Sequence, residues 1–346
     1  ISQSNRKKRV ANSIQSQNMA FALKNKFKKT CNIFCGDEYH NSDREILIRN
    51  PPFLRIDHLL FAIKVYLIIQ KRKNLQDKKI IIYTRSPIIA FLFLFFKYKK
   101  VCLEIHDLKL FSLSGLFLFL IREKRLFLFP ITSYLLNDLL RIKFKKNNLY
   151  LLPDAHSFLV KDVEEAIDSY KILKTKPKKS KLKIGYFGKV ARNKGSYILE
   201  ELVSRYGNEF DFHIYTRNFE LVKNWNCYSS YLDHSEVFKV MLEMDILLYV
   251  TDLKNLRFAN YTSPIKVYEY LSTLKPIIYT PVADLDIELK NTLSIQFEEI
   301  NSFSNQINKL VKFKNFKKRI YQSYNQAKKR TWDNRASKVL KIIENY

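Results

Sequence analysis

The chain has 346 residues, 47% of them hydrophobic, and a formal net charge of +28. That apolar content excludes a disordered polymer, and the length suits two domains of ordinary size. The charge is lopsided: residues 1–150 hold 29 Lys and Arg against 10 Asp and Glu, so the first half is the part built to meet polyanions such as anionic lipid headgroups or phosphorylated ligands.

In chain order, strands and helices alternate. Ile1–Gln3 reads as the end of a first strand, and residues 12–27 as a helix whose apolar faces come from Ile14, Met19, Phe21, Ala22 and Leu23. Residues 31–34 form a short strand, and Asp57 caps a helix running to about Arg72. Residues 80–83 are a continuous apolar run, as in a strand covered on both faces. A Phe-rich helix spans 86–98, and strands follow at 101–106, 126–131 and 149–152. The basic, Pro-containing stretch 171–181 reads as a linker. The pattern then restarts with strands at 182–187, 210–215, 246–250 and 276–279, and helices at 195–206, 235–243 and 263–272. A basic helical tail begins near Phe303. Repeated strand–helix–strand units predict an α/β protein of two doubly wound parallel sheets facing a cleft, with ligands beyond the carboxyl ends of the strands.

The longest apolar run, residues 87–96, falls short of the roughly 20 residues a spanning helix needs, and no secretory leader is visible. Cys31 and Cys35 have no second Cys/His pair at zinc spacing, so reduced thiols in a cytoplasmic setting are expected.

Two segments carry chemistry. Phe187-Gly188-Lys189-Val190-Ala191-Arg192-Asn193-Lys194-Gly195 is a strand end, a turn with two glycines, and a helix start. Such a helix terminus favours phosphate, and Lys189 and Lys194 can neutralise a diphosphate; an ordinary basic loop has the same composition. In Tyr261-Thr262-Ser263-Pro264-Ile265-Lys266-Val267-Tyr268-Glu269, Ser263 suits a helix N-cap and Pro264 the first turn. Glu269 falls inside a mostly apolar helix and needs a partner, either ribose hydroxyls or a cationic side chain. Alternation puts Glu104 and His106 on one side of their strand, near its carboxyl end.

The pairing of Gly-Lys-x4-Lys-Gly with Ser-Pro-x-Lys-x-x-Glu-Tyr-Leu and the following Lys275-Pro276-Ile277-Ile278 resembles the group 1 retaining glycosyltransferases of the GT-B fold. Weaker likenesses lie at Tyr83-Thr84-Arg85, at Leu103 to His106, at Leu152-Pro153-Asp154, and at residues 332–340, similar to a last helix that returns to the first domain. The resemblance implies an acceptor-side domain at 1–170, a linker at 171–181, a nucleotide-sugar domain at 182–315 and returning helices at 316–346. It implies that Gly188, Lys189, Lys194, Thr262, Ser263 and Lys266 bind the donor, with Thr262 and Ser263 offering backbone N–H groups to the diphosphate. Glu269 would hold the ribose, and His106 would act at the donor sugar.

The implied reaction moves a sugar, with retention, from a nucleotide-sugar to a glycan or lipid-linked acceptor of the cell envelope. It would proceed by displacement on the donor's own phosphate side, without a resident cofactor. The nearest Asp-x-Asp is Asp284-Leu285-Asp286 in a late loop, so a metal is not expected. The basic first half, with Phe91, Phe93, Phe95 and Phe96 beside Lys97, Lys99 and Lys100, implies peripheral attachment to the inner face of an anionic membrane; core packing is the competing reading of those rings. Two departures stand out. Tyr261 replaces the first of a glutamate pair eight positions apart, and Ser4 to Asn12 lacks a Gly-rich turn. Tyr261 keeps open an inactive relative that binds a nucleotide-sugar or a partner. Nucleic-acid binding rests on charge alone, with no recognised module, and is not expected.

Overall fold

The computed structural model describes residues 2–5, 11–26, 32–36, 40–41, 45–49, 57–71, 80–108, 123–144, 146–177, 180–282 and 284–345. Cys31 lies outside them, as do the side chains of residues 32–36. The chain divides into two compact units, residues 1–154 with 332–346, and residues 155–331.

The first unit runs β1 (Ser2–Asn5), α1 (Ala11–Lys26), β2 (Asn32–Gly36), β3 (His40–Asn41), β4 (Glu45–Arg49), α2 (Asp57–Lys71), β5 (Ile81–Thr84), α3 (Pro87–Phe95), β6 (Lys100–Ile105), β7 (Leu126–Pro130) and α4 (Ser133–Arg141). Its strands form two sheets, ordered β1-β2-β4-β3 and β5-β6-β7. All neighbours are parallel except β3 with β4. From Val101 to Ile105 and from Leu126 to Pro130 every residue is buried, as mostly apolar runs require of strands covered on both faces; Glu104 is the charged exception. Residues 149–152 make no full strand. They run beside β7 through Tyr150 N–H to Leu128 O (2.9 Å) and Leu152 N–H to Pro130 O (2.9 Å).

Ser86 caps α3 by accepting from Ile89 N–H, with Pro87 at the first position. The helix stops at Phe95, three residues short of the expectation. Lys97 takes φ +61°, and the Lys97 and Tyr98 N–H groups turn back to the Leu94 and Phe93 carbonyls.

The second unit runs α5 (Val163–Thr175), β8 (Lys183–Phe187), α6 (Ser196–Tyr206), β9 (Asp211–Tyr215), β10 (Tyr228–Ser230), α7 (His234–Leu242), β11 (Ile246–Tyr249), α8 (Leu256–Tyr261), α9 (Ile265–Ser272), β12 (Ile277–Tyr279), α10 (Leu285–Glu288), β13 (Ser294–Gln296), α11 (Phe303–Val311) and α12 (Phe316–Lys329). A last helix, α13 (Trp332–Glu344), belongs to the first unit. The sheet is parallel throughout, in the order β10-β9-β8-β11-β12-β13. Within this unit that is the doubly wound order 3-2-1-4-5-6, whose direction of growth reverses between β8 and β11. Both faces are covered. Ile246 and Leu248 pack into one core with Leu199, Phe212 and Phe303; the alternate residues Leu247 and Tyr249 pack into the other with Val267, Tyr270 and Leu271.

Two expected boundaries move. Residues 171–175 are helix rather than linker. Asp162 caps α5, and Ile167, Tyr170 and Leu173, at three-residue intervals, bury against Leu274, Leu293 and Ile320. Residues 155–170 belong with the second unit, tied there by His156 N–H to Arg330 O (2.9 Å) and Val160 N–H to Ser272 O (2.9 Å). Of the tail expected to return to the first domain, only α13 joins that unit. Helix α12 stays in the second, where Phe316 stacks on Tyr170 and Ser323 accepts from Leu293 N–H.

Candidate functional site

In the second unit the site is built where the sheet reverses. β8 ends at Phe187, and the chain leaves it through Gly188 with φ +143°. At that φ any side chain is strained, and a Cβ would lie 2.4 Å from Lys266 Nζ, so glycine both suits the turn and lets the end of Lys266 approach this backbone. Gly195 opens α6 at φ +78°, and a Cβ there would sit 2.7 Å from the carbonyl carbon of Thr251, just past β11. The two glycines thus let the β8 turn close on the first turn of α9 and on the end of β11.

Three lysines converge on this turn. Lys189 is exposed and Lys194 half-buried, beside it in the turn. Lys266, from the first turn of α9, lies 4.4 Å over the Tyr186 ring and donates to Tyr186 Oη at 3.3 Å. Burial, then the nearby Lys189 charge, pushes Lys194 down to about 8. Burial, then Lys194, pushes Lys266 down to about 7, against a smaller upward pull from Glu269. Like charges gathered in a partly desolvated pocket call for an anion.

Glu269 lies one turn along α9 from Lys266 and is 16% exposed. The nearest basic side chain is His234, at the start of α7, whose Nε2 lies 3.8 Å from Oε1. Among the described residues no donor reaches Glu269 at hydrogen-bond distance. The carboxylate can therefore accept from paired hydroxyls; among the described residues no arginine or lysine lies within ion-pair distance of it, and Lys266 acts on it only at longer range.

In the first unit, Glu104 and His106 occupy the carboxyl end of β6. His106 Nε2 lies 2.5 Å from Glu104 Oε1. Burial raises the Glu104 carboxyl, but Arg335, His106 and Arg85 together more than reverse this and hold it well below its usual range. Burial and then Arg85 push His106 down to about 4, so its ring is neutral at pH 7. Asp154 sits beside them, hydrogen-bonded by Gln15 and pushed up to about 7, chiefly by burial. Ligand atoms of Glu104, His106 and Asp154 lie within 4.8 Å of one another, but Arg335, Tyr83 and Gln15 already donate into the group.

No family model and no curated protein matches the sequence. Solved structures do match. A glycosyltransferase from Rickettsia africae ESF-5 superposes with a TM-score of 0.68 at 14% identity, covering 100% of this chain and 98% of that one. HepE of Anabaena, in complex with UDP and glucose, gives 0.67 at 10% identity, covering 100% and 99%. WaaG, a glycosyltransferase involved in lipopolysaccharide biosynthesis, gives 0.65 at 11% identity, covering 99% and 98%. The fold is GT-B.

The GT-B frame groups the residues singled out in the sequence. Gly188, Lys189, Lys194, Lys266 and Glu269 gather in the second unit; His106 stands in the first. Ser263 is not a helix cap. Pro264, extended at φ −82° and ψ 104°, delays the helix to Ile265 and biases Ser263 to extended backbone, and Ser263 Oγ instead meets Tyr268 Oη at 3.3 Å. Thr262 N–H turns back to Ala259 O over a long 3.5 Å, at the end of α8. Sequence reasoning missed His234, Thr251 and Arg335. A lone histidine at a helix start was the only available signal for the first, and nothing local marks the other two.

Proposed function

We propose that this chain is a retaining glycosyltransferase that takes a sugar from a nucleotide-sugar and delivers it to a glycan or lipid-linked acceptor of a cell-envelope polysaccharide, working at the cytoplasmic face of an anionic membrane. One observation carries the reading: three lysines converge on a two-glycine turn at the reversal point of the sheet, beside a carboxylate that no donor among the described residues reaches at hydrogen-bond distance. In this reading Lys189, Lys194 and Lys266 neutralise the departing diphosphate, and Glu269 accepts from the ribose hydroxyls. His106, neutral at pH 7, stabilises charge developing on the donor sugar. The lysines supply the positive charge, so the reading needs no metal. The bound UDP and glucose of the Anabaena neighbour support a nucleotide-sugar as the donor. Tyr261, in place of a second glutamate, favours one further reading, an inactive protein that binds the nucleotide-sugar without turning it over.

A thermal-shift screen of nucleotide-sugars, followed by donor hydrolysis, tests both. A bound donor at 100 times its dissociation constant adds about 2.7 kcal/mol of stability. Glu269→Ala should weaken that donor roughly 10-fold, the scale of a lost charge-assisted pair of hydrogen bonds. Unchanged affinity in this variant rejects the ribose assignment. Binding without hydrolysis or transfer supports the inactive reading.

A further inference from the structure

Helix α13 brings one fully enclosed charge to the first unit. The Arg335 side chain is 3% exposed. Its Nη1 donates to Glu104 Oε2 at 2.8 Å, its Nε to Pro153 O at 2.9 Å, and its Nη2 to Leu152 O at 3.1 Å. The fork therefore ties three places together: the end of β6, the strand-like segment beside β7, and α13. Lysine's compact ammonium lacks the planar fork that spreads these three donors apart. Glu104 also accepts from Tyr83 Oη, and Arg85 Nε lies 3.7 Å from its other oxygen. Asp154 Oδ1 lies 3.9 Å from Arg335 Nη2.

An ionised carboxylate can only accept, so the ring nitrogen facing it must carry the proton. Glu104 thus fixes His106 with Nε2–H turned toward it, and Nδ1 becomes the ring's open acceptor, without a partner among the described residues. A buried carboxylate keeps its charge only while paired, and Arg335 is the most enclosed cation that touches it.

We propose that Arg335 is a positioning residue: by clamping Glu104 it sets the tautomer and orientation of His106, so that the C-terminal helix completes the strand end on which His106 works. The effect on catalysis rests on the reading of His106 given above; the effect on the imidazole does not.

Nitrogen-15 spectra of the histidine rings in the ligand-free protein test the clamp directly. In the wild type, His106 should be a neutral ring protonated at Nε2 throughout the neutral range. Arg335→Met removes a positive neighbour from both groups, so Glu104 and His106 each become easier to protonate. The acidic transition of the ring should move to higher pH, and the neutral ring should become a mixture of tautomers. Arg85, Tyr83 and Asp154 remain in place and limit the size of the shift. Arg335→Lys, which keeps the charge and loses the fork, should fall between the two and serves where the Met variant does not fold. A single unchanged tautomer with an unmoved transition, in whichever variant folds, overturns the proposal.

The kinetic arm uses the nucleotide-sugar that stabilises the protein most. Arg335→Met should lower kcat roughly 10- to 100-fold, the scale of a one-ångström misplacement, with KM for the donor unchanged. In a His106→Ala background the same change should add less than about 2-fold, as expected of residues acting as a unit. Equal losses in both backgrounds overturn action through His106. A His106→Ala enzyme at full speed instead rejects the role of His106, and the spectra still decide the clamp.

Discussion

Lys266 reports on the site at the scale of a single residue. Its folded-state value of about 7 lies below the ordinary lysine range because burial, then Lys194, disfavours the charged form. The unfolded chain therefore binds more protons between about pH 7 and the ordinary lysine value. Stability of the ligand-free protein should rise with pH across that window, and the benefit is absent below it. A bound diphosphate reverses the preference. At about pH 8, donor binding should take up protons, and affinity should fall as pH rises through the values of Lys266 and Lys194. A nucleotide-sugar suits the measurement because its diphosphate diester does not titrate near neutrality. Titration calorimetry in two buffers of different ionisation enthalpy gives the proton count. Uptake should diminish in Lys266→Met, and zero uptake in the wild type at pH 8 would remove the lysines from the diphosphate contact. The segments that make up this candidate site stand out in the sequence because they are short and carry distinctive spacing. Arg335 does not, because its partners Glu104 and Leu152 stand 231 and 183 positions away and only the folded chain brings them together.

At the scale of elements, strand positions could be read closely and helix ends less so. The apolar runs of β6, β7, β8 and β11 are buried on both faces, and that burial is what their composition encodes. Short polar strands such as β10 (Tyr228–Ser230) and β13 (Ser294–Gln296) carry no such signal and exist because a neighbour offers an edge. Helix α5 was obscured by its lysine-rich end, although its buried face recurs every three residues. The two-glycine turn shows why an element boundary matters to the site. Gly195 combines φ +78° with a contact that leaves no room for a Cβ against the Thr251 backbone. Gly195→Ala should cost about 2 kcal/mol or more, from left-handed strain together with crowding, and should lower Tm by roughly 4–8 °C. Gly195→Asn tolerates the dihedral but not the contact, so it should be no better. An Asn variant as stable as the wild type would make the dihedral, rather than Thr251, the constraint. Donor affinity should fall in both variants, because the turn that carries Lys194 must move.

At the scale of the whole molecule, the uneven charge meets an uneven surface. No helix of the described residues is long and apolar enough to cross a membrane. The Phe-rich segment splits between the two readings the sequence allowed. Phe93 is fully buried and Phe91 half-buried, while Phe95 and Phe96 are 61% and 40% exposed. Phe96 stacks on Tyr66 of α2 at 3.9 Å, and α2 leaves Ile63 and Leu67 exposed on either side of that tyrosine in the sequence. Lys64 and Lys71 are exposed on α2 and Lys97 and Lys99 on the turn after α3, whereas Lys100 is held by the Ile343 carbonyl at 2.6 Å. Apolar rings among cations suit the headgroup region of an anionic bilayer. Each lysine near such a surface contributes about 1 kcal/mol, screened within a Debye length of about 10 Å at 0.1 M salt. Vesicle sedimentation should therefore show binding to anionic but not neutral lipid, falling as salt rises. Insertion of Phe95 and Phe96 predicts a remainder that survives high salt, and the double change to Ser should abolish it while leaving most of the low-salt binding. Replacing Lys97 and Lys99 by Gln should do the reverse. Equal recovery on neutral and anionic vesicles would reject the electrostatic part, and a salt-resistant remainder untouched by the Phe changes would move the contact elsewhere on the molecule. Tighter binding to DNA than to anionic vesicles at matched salt would reassign the charge to nucleic acid.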